Sequence, residues 1–373
     1  MVVQIKQISA AEHLSFIESR NSVSFLQTPA WGKAKSGWQS QSLGWFDQDQ
    51  IVGAGLVLLR KVPKVKKYLA YLPEGPDLDW TSPSSMDALD NLVNYLKSIG
   101  VFQIKIGPHI WVRRWQAETI KEAITENKVK RIGDLPADEL NQSGLELIAK
   151  LKKYGWHQPK TIESGFGDYQ PRFVFQINLE NKSEEELLTS FNQLWRRNIK
   201  KAEKEGVTVR VGTEEDLALF HTCYVETAKR DRFTPRSLSY FKTMWTAMRT
   251  ENSDRIKVFI AEHPDYQGAI AATTLTRVGK HSWYSYGAST TAARDLRPSN
   301  AIQWAMLKDS LESGSSIYDM RGISDTLDQN NHLFGLIQFK LGTSGYAQEY
   351  VGEWDYVISK PWATAFSFYM SRR

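Results

Sequence analysis

Residues 258–272 read VFIAEHPDYQGAIAA, and residues 283–286 read WYSY. Two short apolar runs joined by a polar turn predict a β-hairpin, and the run at 283–286 predicts a third strand. The same order occurs earlier in the chain, where residues 44–55 read GWFDQDQIVGAG and residues 68–71 read YLAY. Because both segments combine the same elements in the same order, we interpret the chain as a duplication of one α/β unit.

Helices and further strands surround both hairpins. Apolar residues recur at helical spacing in Ser84–Ile99, and the buried strand Val101–Ile106 follows. In the first half we also predict the helices Ala10–Arg20 and Trp31–Ser36 and the strands Gln41–Phe46, Ile51–Lys61 and Tyr68–Leu72. In the second half we predict the helices Leu217–Arg230, Leu238–Arg249 and Ser299–Glu312 and the strands Val258–Glu262, Ala269–Thr276, Ser282–Tyr286 and Ile317–Met320.

Length and composition narrow the class of protein. The chain has 373 residues, about the length of two domains. Its single cysteine, Cys223, excludes an internal disulfide and a paired-cysteine site. The N-terminus has no apolar signal region and no long apolar run occurs, so we expect a cytoplasmic protein, free or at the inner face of the membrane. The formal net charge of +5 favours an anionic partner such as a phosphate-bearing substrate or RNA.

The predicted order of elements resembles the GNAT acyltransferase fold. Those enzymes hold the pyrophosphate of acyl-CoA on a glycine-containing turn at a helix N-terminus. Here the corresponding turn reads Leu296-Arg-Pro-Ser-Asn-Ala301 and contains no glycine. The resemblance therefore implies a GNAT scaffold whose acyl donor is not a CoA thioester.

The densest charge run is RRNIKKAEK at residues 196–204, whose cations are Arg196, Arg197, Lys200, Lys201 and Lys204. On a helix the first, third and fifth of these cations share one face, and such a stripe suits a polyphosphate or a tRNA backbone. A solvated helix face that ends at Gly206 explains the same pattern, and the sequence leaves both interpretations open. A second run, Arg60–Lys67, falls between two strands, where solvated lysines are expected.

Signatures of nucleophilic or metal enzymes are missing. The sequence has no Gly-x-Ser-x-Gly elbow, no His-Glu-x-x-His motif and no Walker loop, and its seven histidines lack metal-ligand spacing. We therefore expect no cofactor and no metal. Aminolysis of an already activated ester needs neither, because positioning and oxyanion stabilisation can lower its barrier.

The most specific strings lie near the C-terminus. They are YDMRGI at 318–323, FGLIQFKLG at 334–342 and EYVGEWD at 349–355, with WGKAK at 31–35, YLPEGP at 71–76 and RRNIKKAEKEGV at 196–207. Together, and in this order, they resemble the FemABX family of aminoacyl-tRNA-dependent peptidyltransferases. The resemblance covers most of the chain.

The resemblance implies an α/β fold of two tandem GNAT-like domains, with the C-terminal segment returning to the first. It implies transfer of an amino acid from aminoacyl-tRNA to the side-chain amine of the third stem-peptide residue of a precursor, either UDP-MurNAc-pentapeptide or its lipid-linked form. We expect domains at 1–168 plus 353–373 and at 169–352. Only a short stretch separates Val207 from Leu217, so the helical arm of longer members has no room. An additional segment, Ile110–Leu140, lies in the expected first domain without an assigned role.

The resemblance also implies site residues. In the family, residues matching Lys35 and Arg236 hold the diphosphate of the precursor, which suits cationic side chains. Residues matching three tyrosines line the acceptor channel, and a Phe-Lys pair closes it: Tyr240, Tyr284, Tyr286, Phe339 and Lys340. A protonated Lys340 beside the ester carbonyl would stabilise the tetrahedral oxyanion. Core packing of the tyrosines and solvation of the cations are the alternatives that the residues alone leave open.

The general base departs from the family pattern. Compact members carry an aspartate after the strand that here reads Phe102-Gln-Ile-Lys-Ile-Gly107, and a tyrosine at the position of Phe102. Because Gly107 has no side chain, proton removal is expected to fall to the 2′- or 3′-hydroxyl of the substrate or to water.

Two other functions and one further feature stay open at this stage. The GNAT-like order allows an acyl-CoA-dependent N-acyltransferase, and the basic helix allows a non-catalytic tRNA-binding module. The aromatic and basic C-terminal segment Pro361–Arg373 is expected to form a helix that packs on the first domain, with a membrane surface as the alternative.

Overall fold

The computed structural model describes residues 4–127, 129–159 and 169–370, and the chain divides into two compact units. The first unit comprises residues 1–114, 137–173 and 348–373, and the second comprises residues 115–136 and 174–347. The last three residues of the predicted C-terminal helix, 371–373, lie outside the described residues.

Helices and strands are interspersed along the chain. Up to residue 153 they are β1 Gln4–Ile8, α1 Ala10–Glu18, α2 Pro29–Ala34, β2 Gln39–Asp47, β3 Gln50–Lys61, β4 Tyr68–Leu72, α3 Ser85–Ser98, β5 Val101–Ile106, β6 Trp111–Gln116, α4 Ala117–Glu126, β7 Glu139–Leu140 and α5 Gln142–Lys153. From there to residue 251 they are β8 Phe173–Asn178, α6 Glu184–Ser190, α7 Gln193–Lys204, β9 Thr208–Val211, α8 Leu217–Asp231 and α9 Leu238–Glu251. The remaining elements are β10 Ile256–Glu262, β11 Ala271–Val278, β12 His281–Ser289, α10 Pro298–Glu312, β13 Ile317–Gly322, α11 Phe334–Leu341, β14 Tyr346–Tyr350, β15 Trp354–Val357 and α12 Lys360–Met370.

A sheet in the order β1-β2-β3-β4-β5-β15 forms the centre of the first unit. Strands β1 to β4 pair antiparallel, β5 runs parallel to β4, and β15 closes the sheet antiparallel to β5. The parallel step requires a crossover, which α3 supplies. Its apolar face packs on the sheet, and the indole of Trp45 donates a hydrogen bond of 2.9 Å to the Ala88 carbonyl.

The second unit contains strands in the order β8-β13-β12-β11-β10-β9. Strands β9 to β12 pair antiparallel, β13 runs parallel to β12, and β8 pairs antiparallel with β13. Helix α10 is the crossover between β12 and β13. Its buried residues include Trp304, Met306 and Leu307, so that this helix contributes a large part of the apolar core.

The two units therefore share one topology, and the predicted duplication and tandem GNAT-like fold are confirmed. In both units an antiparallel meander precedes a helical crossover and a parallel strand. The strand beyond the parallel strand differs in origin between the units. In the first unit it is the C-terminal strand β15, and in the second it is β8, which precedes β9 to β13 in sequence.

Residues 115–136 form part of the second unit, whereas the sequence analysis places the segment Ile110–Leu140 in the first domain. Main-chain hydrogen bonds explain the difference. The amide of Ile132 donates to the Asp325 carbonyl at 2.7 Å, and the amide of Leu327 donates to the Lys130 carbonyl at 2.7 Å. The segment therefore braces the loop between β13 and α11, a long-range pairing that local sequence patterns do not reveal.

Candidate functional site

Lys340 belongs to helix α11, and its amine lies at the end of strand β13. The residue is 2% exposed. The Nζ atom donates to the carbonyls of Met320 at 2.7 Å, Arg321 at 3.1 Å and Gly322 at 2.7 Å. These three acceptors match the three N–H bonds of an ammonium group.

Burial and neighbouring charges act on this group in opposite directions. Removal from water lowers the pKa of Lys340 to about 7, the carboxylate of Asp319 raises it, and the guanidinium of Arg321 lowers it. The carbonyl cage favours the protonated amine, because only that form can donate to all three oxygens. The arrangement thus holds the amine of Lys340 at a fixed point, with a pKa lowered to about 7.

A buried carboxylate holds the turn that forms this cage. Asp319 is fully buried, and it accepts hydrogen bonds from the Arg321 amide at 2.5 Å and from Gln176 Nε2 at 2.9 Å. Burial alone would raise the pKa of Asp319, but the nearby imidazole of His281, whose Nε2 lies 3.6 Å from Oδ2, and the charge of Arg321 outweigh it, so the pKa is lowered. Arg321 adopts a left-handed φ of 61°, which turns its carbonyl and that of Gly322 towards Lys340. Asp319 is not among the residues predicted for the site, although it lies in the motif YDMRGI; the available signal was an acidic and a basic side chain, Asp319 and Arg321, within a largely apolar strand.

Phe339 joins α11 to the basic helix α7. The indole Nε1 of Trp195 donates to the Phe339 carbonyl at 2.7 Å, and the two rings lie 4.6 Å apart between centroids. The start of α7 is fixed by Asn192, whose Oδ1 accepts from the Trp195 amide at 2.9 Å and whose own amide donates to the Gly342 carbonyl at 2.9 Å. The cationic helix and the helix of Lys340 are therefore rigidly connected.

Replacing Gly342 with alanine should loosen this connection. A Cβ at this position would overlap the indole of Trp195, which is buried and closely surrounded by other atoms. We expect the substitution to lower the free energy of unfolding by about 1–3 kcal/mol, as overpacking of a core usually does. Thermal denaturation followed by circular dichroism measures this loss.

Gly335 supplies the matched control on the same helix. A Cβ there would meet no atom within 4 Å, so Gly335→Ala should leave stability unchanged or raise it by about 0.5–1 kcal/mol. Equal melting temperatures for the two alanine variants would contradict the contact between Trp195 and α11.

The cations of α7 point mostly to solvent. The buried face of the helix carries Trp195, Ile199 and Ala202, and the exposed side chains include Arg197, Lys200, Lys201 and Lys204. Arg196, which the spacing groups with Lys200 and Lys204, is instead half-buried, and its Nη1 donates to the Thr189 carbonyl at 3.4 Å. The exposed stripe thus consists of four cations along one side of a helix of 12 residues.

Arg236, Tyr240 and Tyr286 form a second group in this unit. The guanidinium carbon of Arg236 lies 5.4 Å from the centroid of the Tyr240 ring, and the hydroxyls of Tyr240 and Tyr286 are 3.1 Å apart. Desolvation raises the pKa of both phenols, so both are neutral donors at physiological pH. The charge of Arg321 opposes this rise at Tyr286, which links the electrostatics of this group to the turn beside Lys340.

The side chains of Tyr284 and Tyr286 point in different directions. The register of β11 and β12 shifts at this point, because Thr274 pairs with Tyr286 and Leu275 with Tyr284. The Tyr284 hydroxyl lies against Gly287, where a Cβ would overlap it, and burial raises the pKa of Tyr284 to about 12. The structure therefore brings Tyr240 and Tyr286 into direct contact and leaves Tyr284 beside a glycine of its own strand.

Lys35 belongs to the first unit. It caps the C-terminus of α2, and its Nζ lies 4.3 Å from the centroid of the buried Trp31 ring. The residue is half-buried. The face of an indole ring attracts such a cation through its quadrupole.

Positions 102 and 107, where compact family members carry a tyrosine and an aspartate, have no polar side chain in this protein. Phe102 is buried, and its ring packs against Phe366 with 5.4 Å between centroids. The Gly107 amide donates to the Gly75 carbonyl at 3.1 Å, and a Cβ at Gly107 would lie 3.3 Å from the Glu74 amide nitrogen. Position 107 therefore supplies no base.

The turn before α10 is not built to hold a pyrophosphate. Pro298 occupies the first turn of the helix and has no N–H to offer. The amides of Asn300 and Ala301 donate to the Arg297 carbonyl at 3.0 and 3.3 Å. These two amides are therefore committed within the chain.

The described residues offer neither a metal-binding cluster nor a membrane-spanning helix. Among residues 4–127, 129–159 and 169–370, no group of three or more His, Cys, Asp or Glu side chains is arranged to hold a metal ion. Over the same residues, no helix combines the length and the apolar character that crossing a bilayer requires.

Comparison with known proteins identifies the family. The FemAB family model matches residues 8–262 and 246–370. Lipid II:glycine glycyltransferase of Staphylococcus aureus (strain MRSA252) is 25% identical over 424 residues, covering 95% of this chain and 93% of that protein. The protein of the same name from Staphylococcus epidermidis (strain ATCC 12228 / FDA PCI 1200) is 25% identical over 419 residues, covering 95% and 92%.

Solved structures agree on the fold. The crystal structure of FemX has a TM-score of 0.78 at 22% identity and covers 97% of this chain and 99% of that chain. A tandem GNAT protein from the clavulanic acid biosynthesis pathway has a TM-score of 0.54 at 10% identity, covering 96% and 99%. Because the family model matches nearly the whole chain, this protein belongs to the FemAB family.

Proposed function

We propose that this chain moves an amino acid from aminoacyl-tRNA onto the side-chain amine of the third stem-peptide residue of a peptidoglycan precursor, which builds an interpeptide bridge. Family membership supports a transferase. The name lipid II:glycine glycyltransferase, carried by relatives that align over 95% of this chain, supports a lipid-linked acceptor.

The observation that carries the proposal is the contact between Trp195 and Phe339. It connects a helix with an exposed cationic stripe to the helix that holds a buried ammonium group. A tRNA backbone bound along the stripe would lie on the element that fixes Phe339, one residue before Lys340. Solvation alone does not explain why a cationic helix is anchored at this point.

Lys340 is the proposed electrophilic group of the reaction. The acceptor amine attacks the ester carbonyl, and the carbonyl oxygen becomes an oxyanion. The longest of the three hydrogen bonds of Lys340, to the Arg321 carbonyl at 3.1 Å, is the one that can be exchanged for this oxyanion. Collapse of the intermediate breaks the bond to the ribose oxygen and forms the amide. The amine proton passes to that ribose oxygen, directly or through water, since position 107 supplies no base.

The acceptor is proposed to use the remaining groups. Lys35 and Arg236 would bind its diphosphate, because both carry positive charge beside an aromatic ring. Tyr240, Tyr284 and Tyr286 would line the acceptor channel. Phe339 would define its end through the ring that contacts Trp195.

Replacing Arg236 with alanine should weaken acceptor binding more than the chemical step. Loss of one charge-assisted contact to a diphosphate is expected to raise KM for the precursor by roughly tenfold or more, with a smaller change in kcat. Arg232 is exposed and near in sequence, so Arg232→Ala is the matched control. Steady-state kinetics with varied precursor concentration measures the difference, and equal KM values for both variants would refute the role of Arg236.

The donor class is tested by offering several donors in parallel. The purified chain is incubated with the precursor and either a mixture of tRNAs charged with labelled amino acids or labelled acetyl-CoA. We expect label in the precursor only from charged tRNA. Transfer from acetyl-CoA alone would establish an N-acyltransferase instead. Binding of charged and uncharged tRNA with equal affinity, and no product from either donor, would establish an RNA-binding module.

A further inference from the structure

Four segments of the first unit meet at one end of its sheet, and we call them the basic end: residues 35–41, 59–68, 94–103 and 357–370. Strand pairing brings the first three together, since Gln39 pairs with Leu59, and Tyr68 pairs with Lys61 and with Val101. The fourth joins through the amide of Ile358, which donates to the Phe102 carbonyl at 2.9 Å.

Charge on the basic end has a single sign. The four segments contain no Asp or Glu, and their cations are Lys35, Arg60, Lys61, Lys64, Lys66, Lys67, Lys97 and Lys360. Lys61, Lys64 and Lys66 are exposed on the connection between β3 and β4. A cluster of this size attracts an anionic surface over a distance of about one Debye length, roughly 8–10 Å.

Helix α12 adds apolar side chains to the same end. No charged residue follows Lys360 within the helix. Phe366 is buried against Phe102, as a helix docked on the first unit requires. In contrast, Phe368 is 58% exposed and Met370 is 42% exposed. The helix therefore packs on the unit through Phe366 and presents the large apolar side chain of Phe368, on its opposite face, to solvent.

We propose that the basic end is a docking surface for an anionic lipid bilayer. Exposed lysines at the same end of the sheet as exposed apolar side chains suit lipid headgroups and the acyl region below them, whereas a nucleic-acid backbone would use only the cations. Peripheral binding of this kind needs no membrane-spanning helix. Vesicle binding is independent of the transferase activity.

Lys35 connects the docking surface with the proposed diphosphate site, and this step rests on the proposed function. The Lys35 carbonyl accepts from the Trp38 amide at 2.8 Å, and Gln39 begins the strand that reaches the basic end. The cation proposed to bind diphosphate therefore lies at the docking surface. The diphosphate of a lipid-linked precursor lies at the headgroup level of a bilayer, so docking would bring the two together.

Sedimentation with vesicles tests the docking surface. The full chain is mixed with vesicles of phosphatidylcholine alone or of phosphatidylcholine and phosphatidylglycerol in equal parts. We expect the protein to sediment with the anionic vesicles only, and less so at high salt. The triple substitution Lys61→Gln, Lys64→Gln and Lys66→Gln should lower the partition coefficient about 100-fold. Phe368→Ser should lower it about tenfold.

The control carries the same change in charge on another surface. Arg197→Gln, Lys200→Gln and Lys204→Gln, all on α7, should leave vesicle binding at the wild-type level. Equal sedimentation of the Lys61, Lys64 and Lys66 variant with the wild type would overturn the inference. It would also be overturned if the wild type sedimented with neither vesicle; loss of tRNA affinity in that variant would then identify the basic end as an RNA surface. Neither result requires transfer to occur, so failure of the proposed function remains distinguishable.

Discussion

Replacing Lys340 with methionine is expected to lower the rate of aminoacyl transfer by about 100- to 1000-fold, the usual cost of losing an oxyanion donor. Methionine keeps a chain of similar length in the buried space but removes the charge that three carbonyls hold in place. A single turnover with preloaded aminoacyl-tRNA and saturating precursor measures the chemical step directly. The affinity for tRNA should stay within a few-fold of the wild type, because the cationic stripe is untouched.

Loss of structure must be separated from loss of charge in this experiment. Removing the ammonium leaves carbonyls without a donor, which costs about 1–3 kcal/mol for each group that water does not reach. Thr343→Val is the structural control, since the Thr343 hydroxyl donates to the Lys340 carbonyl at 2.8 Å and carries no charge. We expect this variant to lose stability and to retain transfer. Lys280→Met controls for a lysine lost from an exposed hairpin. Transfer by folded Lys340→Met at a rate near that of Lys280→Met would contradict the electrophilic role.

Removing charge from α7 is expected to lower affinity for aminoacyl-tRNA about 100-fold at ~0.15 M salt. The variant carries Arg197→Gln, Lys200→Gln and Lys204→Gln, three exposed cations on one side of the helix. Each phosphate contact releases counterions, so the slope of log affinity against log salt should fall by about 2–3. Fluorescence anisotropy with labelled aminoacyl-tRNA over a series of salt concentrations gives both quantities.

The matched control for this variant uses the connection between β3 and β4. Lys61→Gln, Lys64→Gln and Lys66→Gln remove the same number of exposed charges from the first unit. Affinity for tRNA should remain within a few-fold of the wild type, with an unchanged salt slope. An equal loss in both variants would show that net charge, rather than the α7 stripe, governs binding.

Local sequence chemistry predicts the crossover helix of each unit and three of the four meander strands, but not β1 or β9. The strands Tyr68–Leu72 and Val101–Ile106 have the predicted bounds, and helix α3 differs from its prediction by one residue at each end. Turn residues and apolar periodicity act over a few residues, so they are readable without the rest of the fold. In contrast, the pairing of β15 with β5 joins residues as far apart in sequence as Lys105 and Asp355, and it comes from the family resemblance rather than from any local pattern.

Sequence patterns alone position the site less completely. Helical spacing places Arg196 with Lys200 and Lys204, but the packing of Trp195 turns Arg196 towards the Thr189 carbonyl. Nothing in the local sequence shows that the carbonyls after Met320 surround the amine of Lys340, because that geometry depends on Asp319 and on the left-handed φ of Arg321. The candidate site residues could be named from the sequence. The hydrogen bonds and charges around each of them depend on the fold.

Transfer of a labelled amino acid from charged tRNA to a lipid-linked precursor tests the account most directly. The product is extracted into organic solvent after ribonuclease treatment and exposed to mild alkali, which hydrolyses esters and leaves amides intact. The account predicts alkali-resistant label in the lipid fraction that depends on both the protein and the precursor. Label that remains on tRNA, or lipid label that mild alkali releases, would contradict it.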